Sequence, residues 1–184
     1  MAKRFASILL LVGFAPLSAQ NAVRYDDYFE AAAMRVDLYH GTDTASDVII
    51  PDAVIKESFY AGSKKKLINN MDLGYCRFSV MDSASGQLIY SESYSDLFEE
   101  WQSSAEAKTG VKKVFHESAR FPFPKQPVVF KLEIRNHSGQ FAERYKTSIN
   151  PKAVAVRREK GTSAFAAGDF LINGSTESKI DIVF

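Results

Sequence analysis

The chain has 184 residues with 23 Lys and Arg against 22 Asp and Glu, a formal net charge of +1. That balance supplies no strong field to draw nucleic acid or anionic lipid to the surface. Hydrophobic residues make up 46%, enough for a sizeable core, and the single cysteine excludes an intrachain disulfide.

Lys3 and Arg4 precede an apolar run from Ile8 to Ala15, which Gly13 and Pro16 interrupt. This is the pattern of a cleaved signal peptide over residues 1–20, and the run is shorter than the roughly 20 residues a helix needs to cross a bilayer. The expected destination is therefore export to the periplasm, the cell surface or the medium, with no membrane attachment once the signal is removed.

Alternation then dominates. Residues 35–40 and 47–50 are short strand candidates rich in β-branched and aromatic side chains. Residues 75–81 alternate and run through the turn 82–86 into 87–91, which predicts a hairpin. Within it Cys76 keeps phase with Phe78 and Val80 and reads as a small core residue rather than a reactive thiol. Residues 95–101 predict a helical turn or two, with Ser95 as the cap. Residues 111–116 form another short strand. In 128–135 the side chains Val128, Phe130, Leu132 and Ile134 face one way and Lys131, Glu133 and Arg135 the other. The turn 136–139 leads into 141–149, where Phe141, Glu143, Tyr145, Thr147 and Ile149 are expected on a single face. A last strand is expected at 153–157. Many short strands with turns between them predict an all-β, antiparallel β-sandwich-like domain over residues 21–157. A polar stretch at 158–178 reads as an interdomain linker, and residues 179–184 as a truncated strand.

The chain is poor in catalytic patterns. His116-Glu117-Ser118-Ala119-Arg120 begins like a zinc-protease helix, yet Arg120 stands where the second His is required and a guanidinium does not ligate metal. Phe121-Pro122-Phe123-Pro124 would also stop such a helix. His40, at a strand end, and His137, at a hairpin tip, read as surface or turn histidines. Asp26, Asp27, Glu30, Glu99 and Glu100 read as solvated charge, and Lys64-Lys65-Lys66 as an exposed turn. No phosphate loop or nucleophile elbow is present. We therefore assign no catalytic, cofactor-binding or metal-ligating residue. Trp101, Tyr94 and Tyr60 are the candidate ligand-contact residues for a free-standing sandwich that holds a glycan or a host glycoprotein, with core packing as the stronger expectation for Trp101.

The order of several blocks carries a further signal: Tyr25-Asp26-Asp27-Tyr28-Phe29, Arg35-Val36-Asp37-Leu38-Tyr39-His40-Gly41-Thr42, Tyr60-Ala61-Gly62-Ser63, Leu67-Ile68, the turn leading to Gln87-Leu88-Ile89-Tyr90-Ser91, His116-Glu117-Ser118-Ala119 and Phe123-Pro124. This series, from about Tyr25 to Arg157, resembles the N-terminal domain of the IgA peptidase family of secreted bacterial zinc metallopeptidases. The resemblance implies a non-catalytic, β-sandwich-like accessory module whose partner is a downstream catalytic domain of the same protein. It also implies that residues 179–184 are the start of that missing catalytic domain. None of the family's catalytic or metal residues maps onto a position here.

Overall fold

The computed structural model describes residues 22–42 and 47–159. The expected signal segment, the part of the expected linker beyond residue 159 and residues 179–184 lie outside the described residues. After a single helical turn, α1 (Tyr25–Tyr28), the chain forms β1 (Phe29–Thr42), β2 (Asp47–Glu57), β3 (Cys76–Asp82) and β4 (Leu88–Tyr94). A short helix, α2 (Leu97–Gln102), and a 3-10 turn at Ala107–Thr109 lead into β5 (Lys113–Pro124), β6 (Val128–Arg135), β7 (Phe141–Ile149) and β8 (Val156–Arg158). Two four-stranded sheets result, in the orders β5-β1-β2-β8 and β4-β3-β6-β7. Every pairing is antiparallel except β2 with β8. The domain is thus the all-β sandwich that the alternation predicts.

Three strands run longer than expected, for local reasons. β1 keeps one inward row from Met34 through Val36 and Leu38 to His40, all buried, so its period-2 pattern extends well before residue 35. β2 passes through Pro51 because that residue sits opposite Leu38, where the β1–β2 register shifts at a bulge and a missing N–H is tolerated. β5 continues through Phe121-Pro122-Phe123-Pro124 because, among the described residues, it is an edge strand with only β1 beside it. Proline is accepted at an edge, so the residues expected to end a helix are here the inner half of a strand.

The sheets meet across aromatic rings. Phe121 of β5 lies 6.1 Å from Phe130 of β6 and 6.2 Å from Phe78 of β3, which in turn stacks on Tyr90 and Phe130 at 5.8 Å. Rings at these separations add about 0.5–1.5 kcal/mol per pair to the area they bury.

One expected alignment is corrected. Residues 141–149 do not present a single face, because the β6–β7 register shifts between Leu132 and Glu133, with Leu132 opposite Tyr145 and Glu133 opposite Glu143. The bulge reverses the alternation. Tyr145 therefore packs on Phe130 in the core, while Phe141 takes the guanidinium groups of Arg77 and Arg135 over its ring at 4.2 and 4.1 Å.

Candidate functional site

The inward rows carry three polar residues to one end of the sandwich. His40 follows Leu38 in the buried row of β1. Glu117 lies between Phe115 and Ala119 on the inner face of β5, and Cys76 opens the inner row of β3. Because Leu38 pairs with Glu117 and His40 with Phe115, His40 and Glu117 are diagonal neighbours on one face. Asp96, the residue before α2, completes the group.

The contacts are specific. His40 Nδ1 lies 2.8 Å from Asp96 Oδ2 and 3.1 Å from Glu117 Oε1. The Cys76 thiol donates to Asp96 Oδ2 at 3.4 Å, and the Tyr94 hydroxyl donates to Glu117 Oε2 at 3.1 Å. The other Asp96 oxygen accepts the backbone N–H of Glu99 at 2.7 Å and so caps α2. The cap is therefore Asp96 and not Ser95, one position later than expected. Side-chain exposure is 1% for His40, 2% for Asp96 and 9% for Glu117, so the group is sealed from bulk water. Phe98 closes it from above, its ring 4.3 Å from the imidazole.

Electrostatics follow from that seal. Burial disfavours charge on His40, but hydrogen bonds to Asp96 and Glu117 outweigh it and hold the imidazole's pKa up at about 9. Burial would likewise raise Asp96, yet the bonds from His40, Glu117 and the Glu99 N–H bring it down to about 2. Glu117 moves the other way: burial raises it, the His40 bond opposes, and the Asp96 charge adds to the rise. Burial together with the charges of Asp96 and Glu117 pushes the Cys76 thiol well up. A thiol held protonated is a poor nucleophile, and an imidazolium held above neutral pH is a poor general base. The arrangement joins β1, β3, β5 and α2 as a structural clamp.

The reading of His40 as a surface or turn residue is thus corrected. Its signal was in the sequence, since it continues the Met34, Val36, Leu38 row. Asp96 gave no such signal, because it lies outside any strand. The partial zinc-protease motif also resolves, since alternation puts His116 outside and Glu117 inside. His116 is exposed and 3.7 Å from Asp52, and Asp37 beside them is held by Arg35 and Ser118. His137 is exposed, and Asp26, Asp27, Glu30 and Glu100 are exposed as expected. Ser63 Oγ accepts the backbone N–H groups of Lys65 and Lys66, which makes the lysine run a turn.

The three ligand-contact candidates do not form one platform. Trp101 is only 7% exposed, stacked on Phe98 and packed against Phe115, with its indole N–H donating to Glu106. An indole gains more by burying its area than by facing water, so Trp101 takes the core packing that was the stronger expectation for it and is not a surface contact. Tyr94 is half-buried and spends its hydroxyl on Glu117. Tyr60 is half-buried, with its ring beside Tyr25 and its hydroxyl 3.4 Å from that of Tyr90.

The family model described as Peptidase M64 N-terminus matches residues 24–146, from the residue before α1 into β7. No curated protein matches the chain. The chain belongs to the Peptidase M64 N-terminus family.

Proposed function

We propose that this member of the Peptidase M64 N-terminus family is a non-catalytic accessory module of an exported, IgA-type metallopeptidase. Its role is to support the peptidase domain or present that domain's protein substrate. The observation that carries the reading is the match over residues 24–146, which takes in six of the eight strands among the described residues and most of the seventh. Two features support it. The acid, base and thiol groups that converge are sealed inside the sandwich, where they serve folding. The β2–β3 connection exposes Phe59, Met71 and Leu73 at 68, 72 and 78%, which provides apolar surface for a neighbouring domain.

The test is association. The chain is mixed with a separately produced M64 peptidase domain, and binding is measured by calorimetry with the wild type and with Phe59→Ser and Leu73→Ser. Saturable binding that these substitutions weaken supports the proposal, and no binding at tens of micromolar protein would overturn it. The rival reading, a free-standing binder of glycans or a host glycoprotein, drew on Trp101, Tyr94 and Tyr60, and the burial of Trp101 weakens it.

A further inference from the structure

Besides acting as a clamp, the buried polar group has the composition of a metal site. We propose that His40, Cys76 and Asp96 bind a divalent transition metal, with Zn(II) the best fit, as a structural ion at the end of the sandwich.

The donor set suits zinc. Imidazole, thiolate and carboxylate are the three ligand types that zinc takes, and thiolate with imidazole selects against magnesium and calcium. The His40 nitrogen, the Cys76 sulfur and an Asp96 oxygen all lie within 4.8 Å of one another. Tetrahedral zinc has bonds of about 2.3 Å to sulfur and about 2.0 Å to nitrogen or oxygen, so its ligand atoms stand about 3.3–3.5 Å apart. The Cys76–Asp96 contact is 3.4 Å and the His40–Asp96 contact 2.8 Å, so the donors need only a small separation to admit the ion. They come from β1, β3 and the start of α2, so the ion would tie together elements that lie far apart in sequence. Glu117, 3.1 Å from the same imidazole nitrogen, is a further oxygen donor or an outer partner that orients the ring.

Charge is conserved in the exchange. Without metal, the imidazolium and the thiol carry one proton each beside the Asp96 carboxylate. Binding Zn(II) releases both protons and forms bonds to nitrogen, sulfur and oxygen, so a charge of +2 enters as +2 leaves and no redox partner is required. A surface groove of about 460 Å³ runs along α2, lined by Ser95, Asp96, Leu97, Glu99, Glu100 and Ser103, and Asp96 is the one member of the buried group on it.

The experiment uses the full chain, purified without chelator, demetallated and then titrated with Zn(II) or Co(II). The proposal predicts about one ion per chain by elemental analysis. It also predicts a Co(II) spectrum with thiolate charge-transfer and tetrahedral visible bands. At zinc about a hundredfold above Kd, Tm should rise by roughly 5–10 °C. Cys76→Ser should abolish the charge-transfer band, and His116→Ala, which alters the exposed group with Asp52, should leave it unchanged. A wild-type Co(II) spectrum that is octahedral without a sulfur band would overturn the proposal, as would a Tm insensitive to zinc. Because both readouts are taken on the wild type, a variant that fails to fold does not blunt the test, and neither readout depends on the module's association with a peptidase domain.

Discussion

His40 and Glu117 are 77 positions apart, yet their side chains meet at 3.1 Å on the inner face of one sheet. β1 and β5 are neighbours in that sheet, and the pairing of Leu38 with Glu117 sets the diagonal contact. Asp96 then reaches the same imidazole from the cap of α2, so one charged ring holds two carboxylates that would otherwise repel.

Removing that ring should be costly. In His40→Ala the buried Asp96 and Glu117 lose their cation, and breaking a buried ionic group from one side typically costs about 3–5 kcal/mol. Glu117→Gln keeps shape and hydrogen bonding and should cost about 1–2 kcal/mol. Urea unfolding of the two variants checks the order, and a His40→Ala loss below that of Glu117→Gln would contradict the clamp.

The pH dependence has a definite sign in metal-free protein held in chelator. The folded pKa of His40, about 9, lies above its ordinary 6.5. Its contribution is therefore full below pH 6.5 and is lost as pH rises through 9. The upper bound on that loss is about 3 kcal/mol. Glu117, also raised, pulls in the same direction above the usual carboxylate range. Asp96 is lowered to about 2, so its contribution is present above pH 3.8 and is lost as pH falls through 2. Thermal melts from pH 5 to 10 should show a declining alkaline limb that His40→Gln flattens.

Gly41 tests how closely β1 and β5 approach. A Cβ there would stand 2.2 Å from the Lys113 carbonyl oxygen and 2.7 Å from the Val114 Cα, both backbone atoms. Gly41→Ala must push the edge strand away beside the clamp, a cost of about 1–3 kcal/mol. Circular dichroism melts check it. Gly86, where the added atom meets nothing but φ is +70°, should cost only about 1 kcal/mol on substitution by alanine.

Phe141 is worth more than its exposure suggests. Phe141→Leu removes the ring beneath Arg77 and Arg135 while keeping an apolar side chain, and should cost about 0.5–2 kcal/mol. A double-mutant cycle with Arg77→Met isolates the cation–ring component, which should be non-zero.

The sandwich was legible because strands with one buried face alternate, as 130–135 does in sequence. Strand lengths were less legible, since Pro51 and the Phe121-Pro122-Phe123-Pro124 run stay extended only because one lies at a bulge and the other on a sheet edge. Both conditions depend on neighbours distant in sequence. The same holds for the bulge that turns Phe141 outward. Half of the clamp could be read in advance, because His40 and Glu117 keep phase with apolar inward rows, and polar residues at such positions require partners. What joins them could not, because Asp96 meets His40 only through the packing of α2 on the open end of the sandwich.

The accessory role is tested most directly by the activity of the peptidase domain with and without this module. Cleavage of a folded protein substrate is followed for the peptidase domain alone, for the module alone and for the two together. An accessory role predicts no cleavage by the module alone, and a higher kcat/KM or a longer active lifetime for the pair than for the peptidase domain by itself. Cleavage by the module alone, or a peptidase domain equally active and equally stable without it, would overturn that role.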